Sequence, residues 1–262
     1  MIYLSSLMAL NEEPAFEETL HAFDDKVGVE VFSFTYSKEE LPDLARRIES
    51  WKGHPLSFHG PMRDVEVTSA CKSPEERLLF ENYARAFAFA GRFGGTSMVV
   101  HTHERHITKA EKPTLQEQCI SNLQALATMA SKEGIALRVE NVSLPHKGEP
   151  LFDEDEYIHL FKLLPRVQAL IDIGHVHVTS WSLDNLLEKL NGRIGGFHLH
   201  NNDGLEDSHD WMDEGTMDVD HALSLIRDHS EFRDMVLEYG SMHGKTSRDL
   251  MRDVCRVLMY HQ

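Results

Sequence analysis

Histidines and carboxylates recur at the ends of the short apolar segments of this chain, where they could bind a divalent cation. Six consecutive segments, beginning with Leu56–His59, end in histidine, glutamate or aspartate. The residues at or beside these ends are His59, His101, Glu140, Asp172, His175, His200 and Glu238. Neutral imidazole and carboxylate together suit zinc, manganese, iron or cobalt. The pattern therefore predicts a metal centre, in which Glu140, Asp172, His200 and Glu238 converge from four strands.

A second cluster lies in the segment His198–Asp218, which reads HLHNNDGLEDSHDWMDEGTMD. Asp207 and His209 alternate there, so both side chains face the same way in an extended loop. We expect Asp207 and His209, with His59, His101 and His175, to hold one or two further ions, since clustered metals bind an anionic intermediate or activate water. The alternative is a solvated acidic turn.

The elements that must position these residues alternate along the chain. Apolar segments rich in Val, Ile, Leu and Phe predict buried parallel strands at residues 2–6, 27–34, 56–59, 97–101, 135–140, 167–173, 195–200 and 235–238. Amphipathic segments predict helices at residues 14–23, 38–51, 74–92, 114–133, 154–164, 183–190, 218–228 and 247–259.

Eight alternating strand–helix units predict a single (β/α)8 TIM barrel over residues 1–262, with its active site at the carboxyl ends of the strands. The alternative is a doubly wound open sheet, which is disfavoured because no glycine-rich phosphate turn follows the first strand. Helix starts are predicted at Ser73–Pro74 and at the capping box Thr114–Glu117.

The composition limits the partners and the compartment. The formal net charge of −17 argues against nucleic acid and membrane surfaces, although bound cations would cancel several charges at the site. Cys71, Cys119 and Cys255 are widely spaced, which argues against disulfides and thiolate zinc sites. The N-terminus lacks a basic signal-peptide region, and no apolar stretch approaches the roughly 18 residues of a membrane span. We therefore expect a soluble cytoplasmic protein.

The motifs resemble those of the xylose-isomerase-like barrel superfamily, which contains sugar phosphate isomerases/epimerases and type IV apurinic endonucleases. The resemblance rests on Asp172–Ile–Gly–His175, His200–Asn–Asn–Asp203 and Asp207–Ser–His209. The endonuclease branch uses nine metal ligands, which match His59, His101, Glu140, Asp172, His175, His200, Asp207, His209 and Glu238. That branch typically has Pro–Gly after the fourth-strand histidine, where this chain has Thr102–His103. This departure argues against DNA repair.

Two pairs of histidines leave a ligand position open. His101 and His103 alternate along the chain, as do His198 and His200, so both members of each pair face the same way on an extended strand. Spacing alone does not choose between them. We prefer His101 and His200 because these two match the family motif.

The resemblance implies a divalent-metal-dependent isomerase or epimerase of a small sugar, sugar phosphate or related ketone. Glu140 and Glu238 would be catalytic, one removing and the other returning a carbon-bound proton through a metal-stabilised enediolate. The alternative is a multinuclear, zinc-type hydrolase of a phosphodiester or another hydrolysable bond, because nine ligands exceed the need of a one-metal isomerase. Either function implies one to three ions of Mn, Zn, Mg, Fe or Co, and the first implies a small carbohydrate-like substrate. A homo-oligomer is compatible with both.

Overall fold

Eight parallel strands form a closed barrel in the computed structural model, which describes residues 1–10, 13–142, 144–229 and 234–261. The strands are β1 (Ile2–Ser5), β2 (Val27–Val31), β3 (Leu56–His59), β4 (Ser97–Val100), β5 (Ala136–Glu140), β6 (Gln168–Asp172), β7 (Ile194–Leu199) and β8 (Asp234–Leu237). Each strand pairs with the next along the chain, and β8 pairs with β1, where Met235 lies opposite Ile2. The predicted (β/α)8 barrel is confirmed.

Helices surround this barrel, and one of them was not predicted. The helices within the described ranges are α1 (Glu13–Phe23), α2 (Leu41–Ser50), α3 (Pro74–Arg92), α4 (Lys112–Lys132), α5 (Glu154–Leu163), α6 (Ile173–Thr179), α7 (Leu183–Lys189), α8 (Val219–His229) and α9 (Ser247–Tyr260). The additional helix is α6, which begins directly after β6. Its β-branched sequence is atypical of a helix, but the Asp172 side chain accepts a hydrogen bond from the His175 N–H and caps its first turn.

Two predicted helix starts have different outcomes. The Ser73 hydroxyl accepts a hydrogen bond from the Glu76 N–H at 3.0 Å, so the predicted start of α3 is confirmed. The start predicted at Thr114 is wrong, because α4 already begins at Lys112. Its first turn contains a proline, whose missing N–H costs nothing there because the first N–H groups of a helix have no partner within it.

The interior of the barrel is polar near both ends. Arg138 and Glu140 share one face of β5 because side chains alternate along a strand. Near the amino-terminal end, the Arg138 guanidinium pairs with Asp234 at 2.5 Å. Gly195 lies against it, where a Cβ atom would come 2.8 Å from Arg138 Nε. Glu140 stands at the opposite end, among the histidines. None of the helices in the described ranges is long and apolar enough to cross a bilayer.

Candidate metal centre

Ten imidazole and carboxylate side chains converge at the carboxyl ends of the strands, in three adjoining groups found among the described residues. Within each group the donor atoms lie within 4.8 Å of one another. The first group contains His59, His101 and Glu140; the second contains Glu140, Asp172, His198 and Glu238; the third contains His175, His200, Asp207 and His209. All nine residues predicted from the sequence belong to one of these groups. That they bind metal stays a prediction.

Glu140 connects the first group to the second. Its Oε2 atom lies 3.0 Å from His101 Nε2 and 3.9 Å from His59 Nε2. Its Oε1 atom lies 3.4 Å from His198 Nδ1 and 3.5 Å from His175 Nδ1. The side chain is buried at the end of β5. Each oxygen of this one carboxylate therefore faces a different set of histidines.

The structure corrects the histidine of the second group. His198, not His200, lies with Glu140, Asp172 and Glu238, and its Nδ1 atom is 2.9 Å from Glu238 Oε2. Both histidines lie on the same side of the chain, as their alternation predicts. His198 lies deeper in the barrel because it precedes the end of β7 by one residue.

His200 lies instead between the second and third groups. Its Nε2 atom is 3.0 Å from Asp172 Oδ2, and its ring stacks on that of His209 with centroids 4.1 Å apart. In the other ambiguous pair, His101 belongs to the first group. His103 is buried beside Thr102, with its Nδ1 atom 3.0 Å from Thr102 Oγ1, and belongs to none of the groups.

The close approach of His200 requires glycine at position 174. A Cβ atom there would lie 1.9 Å from His200 Cε1, in a fully buried place. We expect Gly174→Ala to displace the His200 ring and to cost about 1–3 kcal/mol of unfolding free energy, as overpacking does. Urea denaturation measures this cost. Gly91→Ala is the matched control, because its Cβ would meet only ordinary contacts at 3.4 Å and alanine is preferred in helices. Equal effects of the two changes would contradict the steric argument.

The third group is held by an ordered loop. Asp207 Oδ2 lies 3.1 Å from His175 Nε2 and 3.2 Å from His209 Nε2. The Nδ1–H of His209 donates to the carbonyl of Glu238 at 2.9 Å, which ties the loop to the end of β8. Gly215 has φ +94°, and a Cβ there would lie 2.4 Å from the Asn202 carbonyl oxygen. The loop is therefore folded back on itself instead of forming a solvated turn.

Two acidic residues that orient the histidines were missed from the sequence. Glu104 Oε1 lies 2.7 Å from His101 Nδ1, and Glu30 Oε1 lies 3.0 Å from His198 Nε2. A signal existed for Glu30, which is the only charged residue in the buried strand VGVEV. Glu104 carried a weaker signal, since it follows His101 by three residues in a polar loop.

The carboxylates hold protons on the histidines when no cation is bound. Burial alone would lower the pKa of His101, but Glu104 and Glu140 outweigh it and raise that pKa to about 10. In the same way, nearby carboxylates overcome burial and raise the pKa of His209 to about 10 and that of His175 to about 9. Burial and the neighbouring His101 lower the pKa of His59. The centre therefore attracts positive charge, whether as protons or as metal ions.

A cavity of about 310 Å³ lies over the three groups. Its floor contains residues from each group, including His101, Glu140, Asp207 and Glu238. Its walls are largely apolar and are formed by Leu7, Phe32, Phe34, Met62, Val142 and Leu144, with His146 and Lys147 at one side. A larger cavity of about 560 Å³ beside α6 and α8 contains no member of the three groups. Of these two cavities, the smaller one is therefore the candidate site.

Similar barrels occur among solved structures. The chain is similar to a D-tagatose 3-epimerase-like protein, with TM-score 0.76, 18% identity and coverage of 99% of this chain and 96% of the other. It is also similar to a family 2 AP endonuclease from Brucella melitensis, with TM-score 0.72, 19% identity and coverage of 97% and 98%. A Thermus thermophilus protein soaked with ZnCl2 gives TM-score 0.70, 19% identity and coverage of 99% and 97%.

At these identities the structural likeness shows the fold alone. The sequence has no significant match among curated proteins. The family model described as a xylose isomerase-like TIM barrel matches residues 18–260. This match spans nearly the whole chain and agrees with the resemblance inferred from the motifs, so the chain belongs to the xylose isomerase-like TIM barrel family.

Proposed function

We propose that this protein is a divalent-metal-dependent hydrolase of a small phosphate ester. The observation that carries the proposal is the position of Glu140, whose two oxygens face two different groups of histidines. A carboxylate in that position could hold an ion in each group, and paired ions are typical of enzymes that cleave phosphate esters. Membership of the family and its epimerase-like neighbours support an enzyme.

The donor atoms fit divalent cations. His175 Nδ1 and Asp207 Oδ1 are buried and have no hydrogen-bond partner among the described residues, although opposite charges stand within 4 Å. A cation between these atoms would satisfy them. Several histidines also donate their other nitrogen to a fixed acceptor, as His59 does to the Gly60 carbonyl at 2.9 Å. Such orientation of the ring is typical of metal-binding histidines.

The residues of the cavity floor and those of its walls would have different roles in hydrolysis. Bound divalent ions would supply a water of lowered pKa and would neutralise charge on the phosphoryl oxygens. Glu104 fixes the ring of His101, because its Oε1 atom stands 2.7 Å from His101 Nδ1. The apolar side chains Phe32 and Phe34, packed edge to face at 4.8 Å, exclude bulk water from one side of the cavity.

The cavity supports a small substrate. A volume of about 310 Å³ suits a compact carbohydrate-like phosphate ester. The net charge of −17 disfavours a nucleic acid, whose phosphates the acidic surface would repel away from the metal centre. The three cysteines are free, which supports a reducing compartment such as the cytoplasm.

Isomerisation or epimerisation of a small sugar is the second candidate. It is favoured by the approach of Glu140 and Glu238 to the same nitrogen of His198, at 3.4 and 2.9 Å, and by the lining of the cavity by both carboxylates. A proton-transferring base needs an oxygen free to reach the substrate. Both oxygens of Glu140 face histidines, and a carboxylate that also held metal ions would be a poor base. We therefore rank hydrolysis first.

Metal counting and two activity assays separate these candidates. We expect two or three equivalents of tightly held zinc or manganese, and release of inorganic phosphate from sugar phosphates or p-nitrophenyl phosphate. The competing assay incubates the protein with ketoses in D2O and follows deuterium at carbon by NMR. One equivalent of metal, combined with ketose deuteration and no phosphate release, would overturn hydrolysis in favour of isomerisation.

A further inference from the structure

Glu30 occupies an exceptional place inside the barrel. It lies on β2, its side chain is fully buried, and its neighbours on that strand are apolar. An ionised carboxylate in such a place costs several kcal/mol unless polar or charged partners compensate. Its position therefore needs an explanation that packing does not provide.

Two side chains account for the contacts of Glu30 in the described part of the chain. The Ser57 hydroxyl donates to Glu30 Oε2 at 3.2 Å, and His198 Nε2 lies 3.0 Å from Glu30 Oε1. No lysine or arginine forms an ion pair with this carboxylate among the described residues. His198 is therefore the cationic or proton-donating partner that Glu30 faces.

The opposite nitrogen of His198 faces the second group. Nδ1 lies 2.9 Å from Glu238 Oε2, 3.4 Å from Glu140 Oε1 and 3.8 Å from Asp172 Oδ2. Three carboxylates around one imidazole nitrogen form a site for positive charge. The ring thus stands between Glu30 on one side and the second group on the other.

We propose that Glu30 is a positioning residue for a metal ion in the second group, an inference that rests on the proposed metal-dependent function. The negative charge of Glu30, 3.0 Å from Nε2, would favour a proton on that nitrogen of His198 and leave the lone pair of Nδ1 for the ion. A carboxylate behind a ligating histidine fixes its tautomer, orients its ring and raises its basicity. Ser57 in turn restricts the rotation of Glu30.

The test is metal affinity, measured by competition with a chelator, together with the absorption spectrum of the cobalt-substituted protein. We expect Glu30→Gln to lower the affinity for one ion by about 10–100-fold and to alter the cobalt spectrum. The affinities for the other ions should not change. Glu30→Asp should recover part of the loss because it keeps the charge. Ser57→Ala should weaken the binding of the same ion to a smaller extent. It replaces Glu30→Gln as the test variant if Glu30→Gln does not fold.

Asp234→Asn is the control, because it removes a different carboxylate, itself only partly buried, from an ion pair near the amino-terminal end of the barrel. It should lower the melting temperature of the metal-free protein and leave every metal affinity unchanged. A wild-type protein that binds no ion in the second group would defeat the proposed function itself. Wild-type binding that Glu30→Gln and Ser57→Ala both leave unchanged would overturn only the role of Glu30.

Discussion

Replacing Glu140 by glutamine is expected to remove two metal ions at once and to lower kcat for phosphate release by about 10³-fold. Each oxygen of Glu140 faces a different group, so one amide cannot replace the charge in either of them. Loss of the ions removes several kcal/mol of charge stabilisation in the transition state. Each 1.36 kcal/mol added to the activation free energy lowers the rate tenfold. Metal analysis of the purified variant and steady-state kinetics measure the two effects.

Two further comparisons make the Glu140 result specific. Asp207→Asn should cost only the ion of the third group, because Asp207 contacts His175 and His209 there. His101→Gln should cost the ion of the first group, whereas His103→Gln, two residues away and outside the groups, should retain every ion. If Glu140→Gln lost a single ion, Glu140 would not hold ions in both groups and the case for hydrolysis would fail.

The barrel could be predicted from the sequence because its strands carry a local signal. Buried parallel strands are continuous apolar segments, and β3 and α3 begin and end at the predicted residues. Helix α6 could not be predicted in this way, because its β-branched residues favour a strand. Its first turn depends on a cap from the Asp172 side chain, and the Asn141 side chain holds the Asp172 backbone by bonding both its N–H and its carbonyl.

The candidate site could be predicted as a set of residues but not as a set of contacts. Alternation places His198 and His200 on one side of the chain, and it contains no information about depth in the barrel. Depth decides which of them meets Glu140 and Glu238, and depth depends on the stagger of eight strands. The role of Glu30 likewise depends on a contact across the barrel, from β2 to β7.

The metal-free protein is expected to lose stability as the pH rises from 6.5 to 10. The pKa values of His101 and His209 are raised to about 10 and that of His175 to about 9. A raised pKa contributes stability that is complete below the unfolded value near 6.5 and disappears as the pH passes the folded value. We expect the melting temperature to fall by about 10 °C or more over this range, which corresponds to several kcal/mol for a chain of this size.

At acidic pH the metal-free protein is expected to lose stability as the pH falls. Burial opposes ionisation of Glu104 and Glu238, but the neighbouring histidines lower the pKa of both carboxyls to about 2. That stability is complete above the unfolded value near 4.5 and is lost as the pH falls towards 2. The metal-free protein should therefore be most stable between about pH 4.5 and 6.5.

Metal binding should prevent the loss of stability at alkaline pH, because metal ions replace the protons held by the histidines. At pH 7.5 we expect release of about three protons, one each from His101, His175 and His209, whose pKa values are raised to about 10, 9 and 10. Calorimetric titration in buffers of different ionisation enthalpy counts these protons. The melting temperature of the metal-bound protein should then stay constant up to pH 9. It should fall below about pH 5, where protons compete with the metal ions for the ligands. Release of no protons, or parallel pH profiles with and without metal, would contradict coordination by these histidines.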